Sequence, residues 1–491
     1  MSSTEASDPR KPFLTRIANE LGLPALKSSP FDTKILYLQR FVRLFAYGAT
    51  TIVLAVHLKA LGFSDFRLGL FMSLTLIGDV FISLLLTLFA DGLGRRNVLK
   101  IGAALMVLSG MAFVFSGNYW LLLAAAIFGV ISPNGNEIGP FKAIEESTLA
   151  HLTPSAIRSD IFAWYGLFGT AGNACGLLIC GWLVQVMNKD DNRDVLHTYR
   201  TIFLAYAALG ILKLVLACLL TANCELETKP ENADAGPKPN GLHRLLPSIS
   251  PESRIILIKL CLLFFVDSLA SGLVPQSLIV YFFEEKFHLA GGALGTLFFV
   301  TNIISSASNL AASSISKRIG LVRTMVFTHL PSAIMLALIP APPWVWLAMT
   351  FLILRASTST MDQAPRSAFL SAVVLANERT SVMGIVNVVK TISSSAGPTI
   401  TGTFAGKGLF WLAFMIAGSL KASYDLGMLW MFQHYQTRES REQMEYRAVE
   451  EEEELGALVT DEDDEEDLDI VDEDAQDIGN GAYKVVRETS V

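Results

Sequence analysis

The chain has 491 residues, of which 52% are hydrophobic and 17% charged, with a mean hydropathy of +0.44. A soluble protein of this size carries about a quarter charged residues, so composition excludes an ordinary soluble domain. Repeated apolar runs of about 20 residues point instead to membrane-spanning helices, and the absence of period-2 alternation excludes a membrane barrel. The net charge of −8 reflects a dense acidic tail, and no nucleic-acid partner is expected.

Residues 1–35 are polar and mixed in charge. They lack the short apolar core and cleavage site of a secretory signal, so they read as an uncleaved cytosolic tail. Spans are then predicted near 36–60, 68–90, 98–117, 120–145, 158–187 and 199–221, forming a first six-helix bundle over 36–222. The stretch "NCELETKPENADAGPKPNGLHRLLPSISPES" is too polar for a bilayer and rich in turn formers, so 223–253 reads as a cytosolic linker. Further spans are predicted near 254–285, 292–315, 322–341, 344–370, 380–404 and 408–432, a second bundle over 254–432. Residues 433–491 hold "EEEELGALVTDEDDEEDLD" and read as an acidic disordered tail. The expected fold is an all-α integral membrane protein of twelve transmembrane helices in two pseudo-symmetric bundles.

An even number of spans puts both termini and the linker on one side. The Lys and Arg of the N-tail, the linker and "DGLGRRNVLK" place that side in the cytosol. The five cysteines form no CxxC pair, which argues against zinc or a disulfide framework and for small core residues. No Walker loop, nucleophile elbow or HExxH occurs, so no cofactor, metal, ATP-driven step or enzymatic activity is expected.

The halves echo each other at an offset of about 221 to 226 residues, as duplicated transporters do. "ADGLGRRNVL" (90–99) answers "SKRIGLVRTM" (316–325), and "GLLICG" (176–181) answers "GPTITG" (397–402). Glu137-x-x-Pro140-x-Lys142 answers Asp362-x-x-Pro365-Arg366. In the first loop, Gly92 and Gly94 allow a tight turn. Asp91 can accept from donors at a neighbouring helix N-terminus, and Arg95 and Arg96 sit at headgroup level.

These features resemble the major facilitator superfamily over about residues 36 to 432. The loop is similar to the family's signature between spans 2 and 3, matched by Asp91, Gly94, Arg95 and Arg96, with Gly92 where the family often has Arg. The resemblance implies that this loop is a conformational latch; a plain positive-inside anchor is the alternative. It also implies that spans 1, 4, 7 and 10 line a substrate path.

A charge deep in the bilayer costs about 2.5–3.5 kcal/mol, so such residues face a cavity or a partner. Arg43, Glu137, Lys142, Asp267, Arg355, Asp362 and Arg366 are the candidates for the substrate and proton pathway. Arg355, Asp362 and Arg366 share one arc of a continuous helix, with Asp362 and Arg366 able to pair at i,i+4. Gln39, Arg43 and Tyr47 form a polar stripe in span 1, and Asp267 and Ser271 share a face of span 7. Pro140 loosens span 4. Lys142 is expected to pair with Glu145 or Glu146 at the interface, and a structural Glu137–Lys142 pair stays open. Asp79 reads as an interhelix hydrogen-bonding residue, Asp425 as a partner of Lys421, and His57 as interfacial. Lys390 fits a cavity or a snorkelling position equally.

The sequence thus points to a secondary transporter of a small organic solute working by alternating access. A proton drives it, through Glu137, Asp267 or Asp362, and the basic tilt favours an anionic or zwitterionic substrate. A drug exporter or uniporter on the same fold, and a non-transporting receptor or scaffold, stay open. A monomer in the lipid bilayer is expected, in the plasma membrane or a vacuolar or endosomal membrane. Deleting residues beyond about 440 should leave uptake per molecule unchanged, because a charge run this poor in apolar residues builds no packed part. Uptake assays on correctly localised truncated protein check this.

Overall fold

A computed structural model describes residues 23–129, 131, 140–154, 157–189, 194–225, 251–374 and 379–432. Glu137, the greater part of the linker and the acidic tail lie outside these residues. All regular structure among them is helical. The first half comprises α1 (Leu23–Ser28), α2 (Phe31–Ala60), α3 (Asp65–Leu93), α4 (Arg95–Phe115), α5 (Tyr119–Phe128), α6 (Pro140–Leu152), α7 (Arg158–Met187) and α8 (Val195–Leu219). The second comprises α9 (Pro251–Leu273), α10 (Gln276–Phe287), α11 (Gly291–Ile319), α12 (Leu321–Leu338), α13 (Val345–Thr358), α14 (Gln363–Val373), α15 (Arg379–Ala405) and α16 (Phe410–Phe432).

Among the described residues, three spans hold two helices each. α5 and α6 form span 4, α9 and α10 span 7, and α13 and α14 span 10. Span 4 therefore runs to Leu152, beyond the end expected at 145. Pro275 is the N-cap of α10. Span 10 is not the continuous helix the charge spacing suggested. Ser359 to Asp362 form turns between α13 and α14, so Arg355 lies on a different helix from Arg366.

Helix ends follow local chemistry. Asn118 accepts from the N–H groups of Trp120 and Leu121 to start α5, and Asp194 accepts from Leu196 N–H to start α8. Gly94 and Gly320 have φ of 83° and 87° and open α4 and α12. The same left-handed turn thus stands at one place in each half. Gly92, expected to share the turn, lies inside α3.

The two halves repeat one packing scheme. α2 packs on α7 and α8, and α4 on α8; correspondingly α9 packs on α15 and α16, and α12 on α16. A Cβ at Gly48 would fall 2.2 Å from the Asn173 carbonyl oxygen, and one at Gly272 2.0 Å from that of Ser394. Small residues let these backbones touch, and they fix which residues of the halves correspond.

We call the end where α2 begins the near side and the opposite end the far side. The halves are joined by α7 on α11, α3 on α15 and α2 on α10. Thr399 N–H and Oγ1 donate to Ser73 Oγ at 3.0 and 2.7 Å. Trp182 Nε1 donates to Thr296 Oγ1 at 3.1 Å, and Gly292 N–H to Gln185 Oε1 at 3.0 Å. Tyr281 donates to Asp65 Oδ1 at 2.9 Å, and Lys59 holds the same oxygen at 2.5 Å. These joins gather toward the far side. Glycines again allow them: a Cβ at Gly402 would lie 2.3 Å from the Asp65 carbonyl oxygen, and one at Gly181 2.3 Å from that of Gly291.

Gly402→Ala should therefore push the halves apart at the far side while leaving each bundle folded. In a variant lacking native cysteines, a cysteine at Ser73, buried in this join, should react with an impermeant thiol reagent several times faster once Gly402→Ala is added.

Candidate functional site

The densest buried charge cluster lies in the second half and is built around Asp267 of α9. Asp267 Oδ2 takes Arg366 Nη1 at 3.0 Å, and Oδ1 takes Lys421 Nζ at 2.8 Å. Lys421 also donates to Ser271 Oγ at 2.9 Å, so the four-residue spacing of Asp267 and Ser271 presents both to one ammonium. Arg366 binds Asp362 with its other terminal nitrogen. Asp362 is the N-cap of α14, and its carbonyl accepts Arg366 N–H at 2.8 Å. One carboxylate thus ties α9 to α14 and α16.

Two carboxylates and two cations balance within the cluster, and Lys390 adds a further positive charge close by. The Arg366 guanidinium lies 5.3 Å from the Phe264 ring centre and 5.2 Å from that of Tyr424, and Lys390 Nζ lies 5.5 Å from Phe264. The side chains of Asp362, Asp267 and Lys421 are 4%, 6% and 7% exposed, and that of Arg366 is 15%. Arg366 is the most exposed of the four.

The first half carries a counterpart with the charges exchanged. Arg43 of α2 holds Glu145 of α6 at 2.5 Å, and Tyr165 of α7 donates to the same Glu145 oxygen at 2.6 Å. The Arg40 guanidinium stacks 4.0 Å above Tyr165. Arg43 stands five residues before Gly48, as Asp267 stands five before Gly272, and the partners follow 102 and 99 residues later. This pair is sealed, with Arg43 2% and Glu145 0% exposed.

Several sequence expectations are corrected here. Glu145 is not at the interface but is a buried carboxylate of the first half, because Arg43 reaches it across the bundle. Lys142 pairs with Glu146 at 3.9 Å, with both side chains more than a third exposed. Gln39, Arg43 and Tyr47, the polar stripe of α2, are all buried. Asp425 pairs with His329 of α12, at 2.9 and 3.0 Å, rather than with Lys421. His57 is fully buried among Phe113, Tyr199 and Phe203, not interfacial. Arg355 is in none of the ion pairs described, because the turn after α13 separates it from Arg366. Of the cysteines, Cys180 and Cys224 are buried but Cys218 is exposed. Burial, with Asp32 beside it, pushes the Cys224 thiol up to about 12. No cluster of metal-ligating residues occurs among the described residues.

At the near side, Arg95 and Arg96 are the first residues of α4. Their N–H groups donate to the two oxygens of Glu225 at 2.7 and 3.1 Å. The carboxylate seated on this helix N-terminus is thus Glu225, just past the first half; the Asp91 side chain lies outside the described residues. Asp32 likewise accepts from Thr221 N–H and Oγ1, at 2.9 and 2.6 Å. Glu145, Lys421, His329 and Glu225 were the functional candidates the sequence did not single out. The available signals were a lysine and a histidine inside apolar runs.

The model of the Major Facilitator Superfamily matches residues 36–398 and 260–453. The chain belongs to the major facilitator superfamily and is a multi-pass integral membrane protein with its twelve-helix fold. It is 39% identical over 425 residues to the uncharacterized membrane protein YJR124C of Saccharomyces cerevisiae, covering 83% of this chain and 95% of that protein. It is 25% identical over 186 residues to the quinolone resistance protein NorA of Staphylococcus aureus, 38% of this chain and 44% of NorA. Among solved structures it resembles the nucleoside transporter NupG, with TM-score 0.63, 15% identity and coverage of 83% and 100% of the two chains. It also resembles a D-xylose–proton symporter, with TM-score 0.60, 16% identity and coverage of 82% and 97%. These identities speak to the fold alone.

Removing one member of a buried ion pair strands the other, at about 3–5 kcal/mol. Glu145→Gln and Arg43→Gln should each lower the unfolding midpoint in detergent sharply. The exchange Arg43→Glu with Glu145→Arg should recover most of the loss, as a double-mutant cycle on thermal unfolding would measure.

Proposed function

We propose that this chain is a secondary active transporter of a small organic anion or zwitterion, coupled to protons, with the Asp267 cluster as its coupling site. The observation that carries the reading is the sharing of Asp267 between Arg366 and Lys421, with Arg366 the most exposed member. An anionic substrate group that draws on Arg366 weakens its hold on Asp267 and Asp362. A buried carboxylate deprived of its cation is neutralised by a proton rather than left charged. Substrate and proton occupancy are thereby linked through one guanidinium.

The far-side joins support a cycle in which the two six-helix halves, 36–222 and 254–432, rock about a central path. We place the near side, with both termini, in the cytosol. Asp91, Gly94, Arg95 and Arg96 are proposed as the latch of that cycle, and the Gly94 turn with Glu225 on the N-terminus of α4 supports this. Arg43 with Glu145 is assigned to holding the first half together, Lys142 to the near-side surface, and Arg355 to the substrate path as a cation outside the ion pairs described. A drug exporter is the second reading, favoured by the partial likeness to NorA. The cationic excess left by Lys390 weighs against lipophilic cations as cargo.

Asp267→Asn and Asp362→Asn should each abolish accumulation driven by a pH gradient while leaving counterflow exchange within about threefold of wild type. Proteoliposomes tested with a panel of organic anions, amino acids and sugars provide the measurement. Accumulation at the wild-type level in both variants would sink the assignment.

A further inference from the structure

Behind the Asp267 cluster lies a buried titratable pair that the coupling scheme above does not use. His329 of α12 and Asp425 of α16 are 3% and 1% exposed. His329 Nδ1 meets both oxygens of Asp425, at 2.9 and 3.0 Å. Asp425 is an acceptor when ionised, so Nδ1 carries the hydrogen and Nε2 is the open proton site. Asp425 is one turn from Lys421 on the same face of α16, and Lys421 is the ammonium that holds Asp267.

The internal repeat shows what this position looks like without the pair. α4 and α12 both start from a positive-φ glycine, Gly94 and Gly320. Counting nine residues on reaches Ala103 in α4 and His329 in α12. Gly210 of α8 packs on Val107, and Gly418 of α16 packs on Ala333, which fixes the second register. Three residues after these glycines each half has a buried lysine, Lys213 and Lys421. Seven residues after them the first half has Ala217 and the second Asp425. Ala103 and Ala217 are both 0% exposed. Two alanines therefore suffice to pack this helix crossing, and the second half replaces both with a hydrogen-bonded acid and base.

We propose that His329 and Asp425 form a second proton-binding site that controls how firmly Lys421 holds Asp267; this rests on the reading of the Asp267 cluster as the coupling site. With the imidazole neutral the pair carries one negative charge, and Asp425 competes with Asp267 for Lys421. A proton taken up at Nε2 makes the pair electrically neutral, and Lys421 stays on Asp267. The groups facing the pair are Lys421 and Tyr424 on α16, and Asp267 on α9. Beyond Asp267 stand Arg366 and Asp362 on α14, with Lys390 on α15. Arg355 is the charge of α13, and α11 carries Lys317 and Arg318 toward its near-side end. Tyr424 meets the His329 ring edge-on, with centres 6.2 Å apart.

The test uses the full chain, purified in detergent with its histidine rings labelled with nitrogen-15, and protons as the only probe. One ring resonance, identified by its absence from His329→Gln, should change with pH while the chain stays folded. Linkage requires that a partner which senses the proton also changes its affinity, so Lys421→Met, which removes a nearby cation, should move that midpoint upward. A merely structural hydrogen bond predicts no such shift. The paired variant His329→Ala with Asp425→Ala copies the packing of the first half and should fold. Its unfolding midpoint should lose a pH-dependent step that the wild type shows. A His329 ring resonance that does not respond to pH while the chain stays folded, or a midpoint unchanged in Lys421→Met, overturns the inference. The titration is read on the purified chain, so it stands or falls separately from proton-driven transport.

Discussion

A carboxylate inside a membrane bundle has to touch the cations that neutralise it, and Asp267 touches two. Lys421 lies 154 residues away in sequence and Arg366 lies 99 away. Burying each of these groups alone would cost several kcal/mol. The cost is met only when α9, α14 and α16 come together in one arrangement, with the break in span 10 placing Asp362 at the start of the helix that carries Arg366. The packing of the second half is therefore inseparable from its charge pattern.

The two halves use one frame for two chemistries. Glycines at matching places bring α2 onto α7 and α9 onto α15, and matching left-handed turns start α4 and α12. On this frame the first half sets a cation opposite an anion, adds the Tyr165 hydroxyl and closes the pair off from solvent. The second half reverses the charges, doubles them, and leaves Arg366 partly exposed. It also converts an alanine crossing into His329 against Asp425. Symmetry accounts for the helices, and the departures from it mark where a solute and protons are proposed to act.

Within the candidate site, legibility followed sequence distance. The pairing of Asp362 with Arg366 is an i,i+4 contact, and the spacing of Asp267 and Ser271 puts both on one face; local periodicity carries such information. Glu145 stands next to Glu146 and close to Lys142, and local reading assigned all three to the interface. Only the approach of α2 separates them, taking Glu145 inward to Arg43 and leaving Glu146 with Lys142. Asp425 went to Lys421 by the same local logic, although His329 is nearer in space. Glu225 sits in a stretch that reads as linker, and nothing local indicates that its carboxylate returns to the start of α4.

The sequence by itself determined the membrane-embedded all-α class, the doubled organisation and the glycine turn at Gly94. Hydrophobic run length, charge exclusion and the backbone freedom of glycine act over a few residues to a few turns. Tertiary structure decided which buried charge meets which, where spans 7 and 10 break, and which half keeps its charges accessible. Those outcomes depend on desolvation and Coulomb energy between side chains about 100 residues apart or more. Such energies are set by the packing of whole helices, and helical periodicity along one segment carries no record of them.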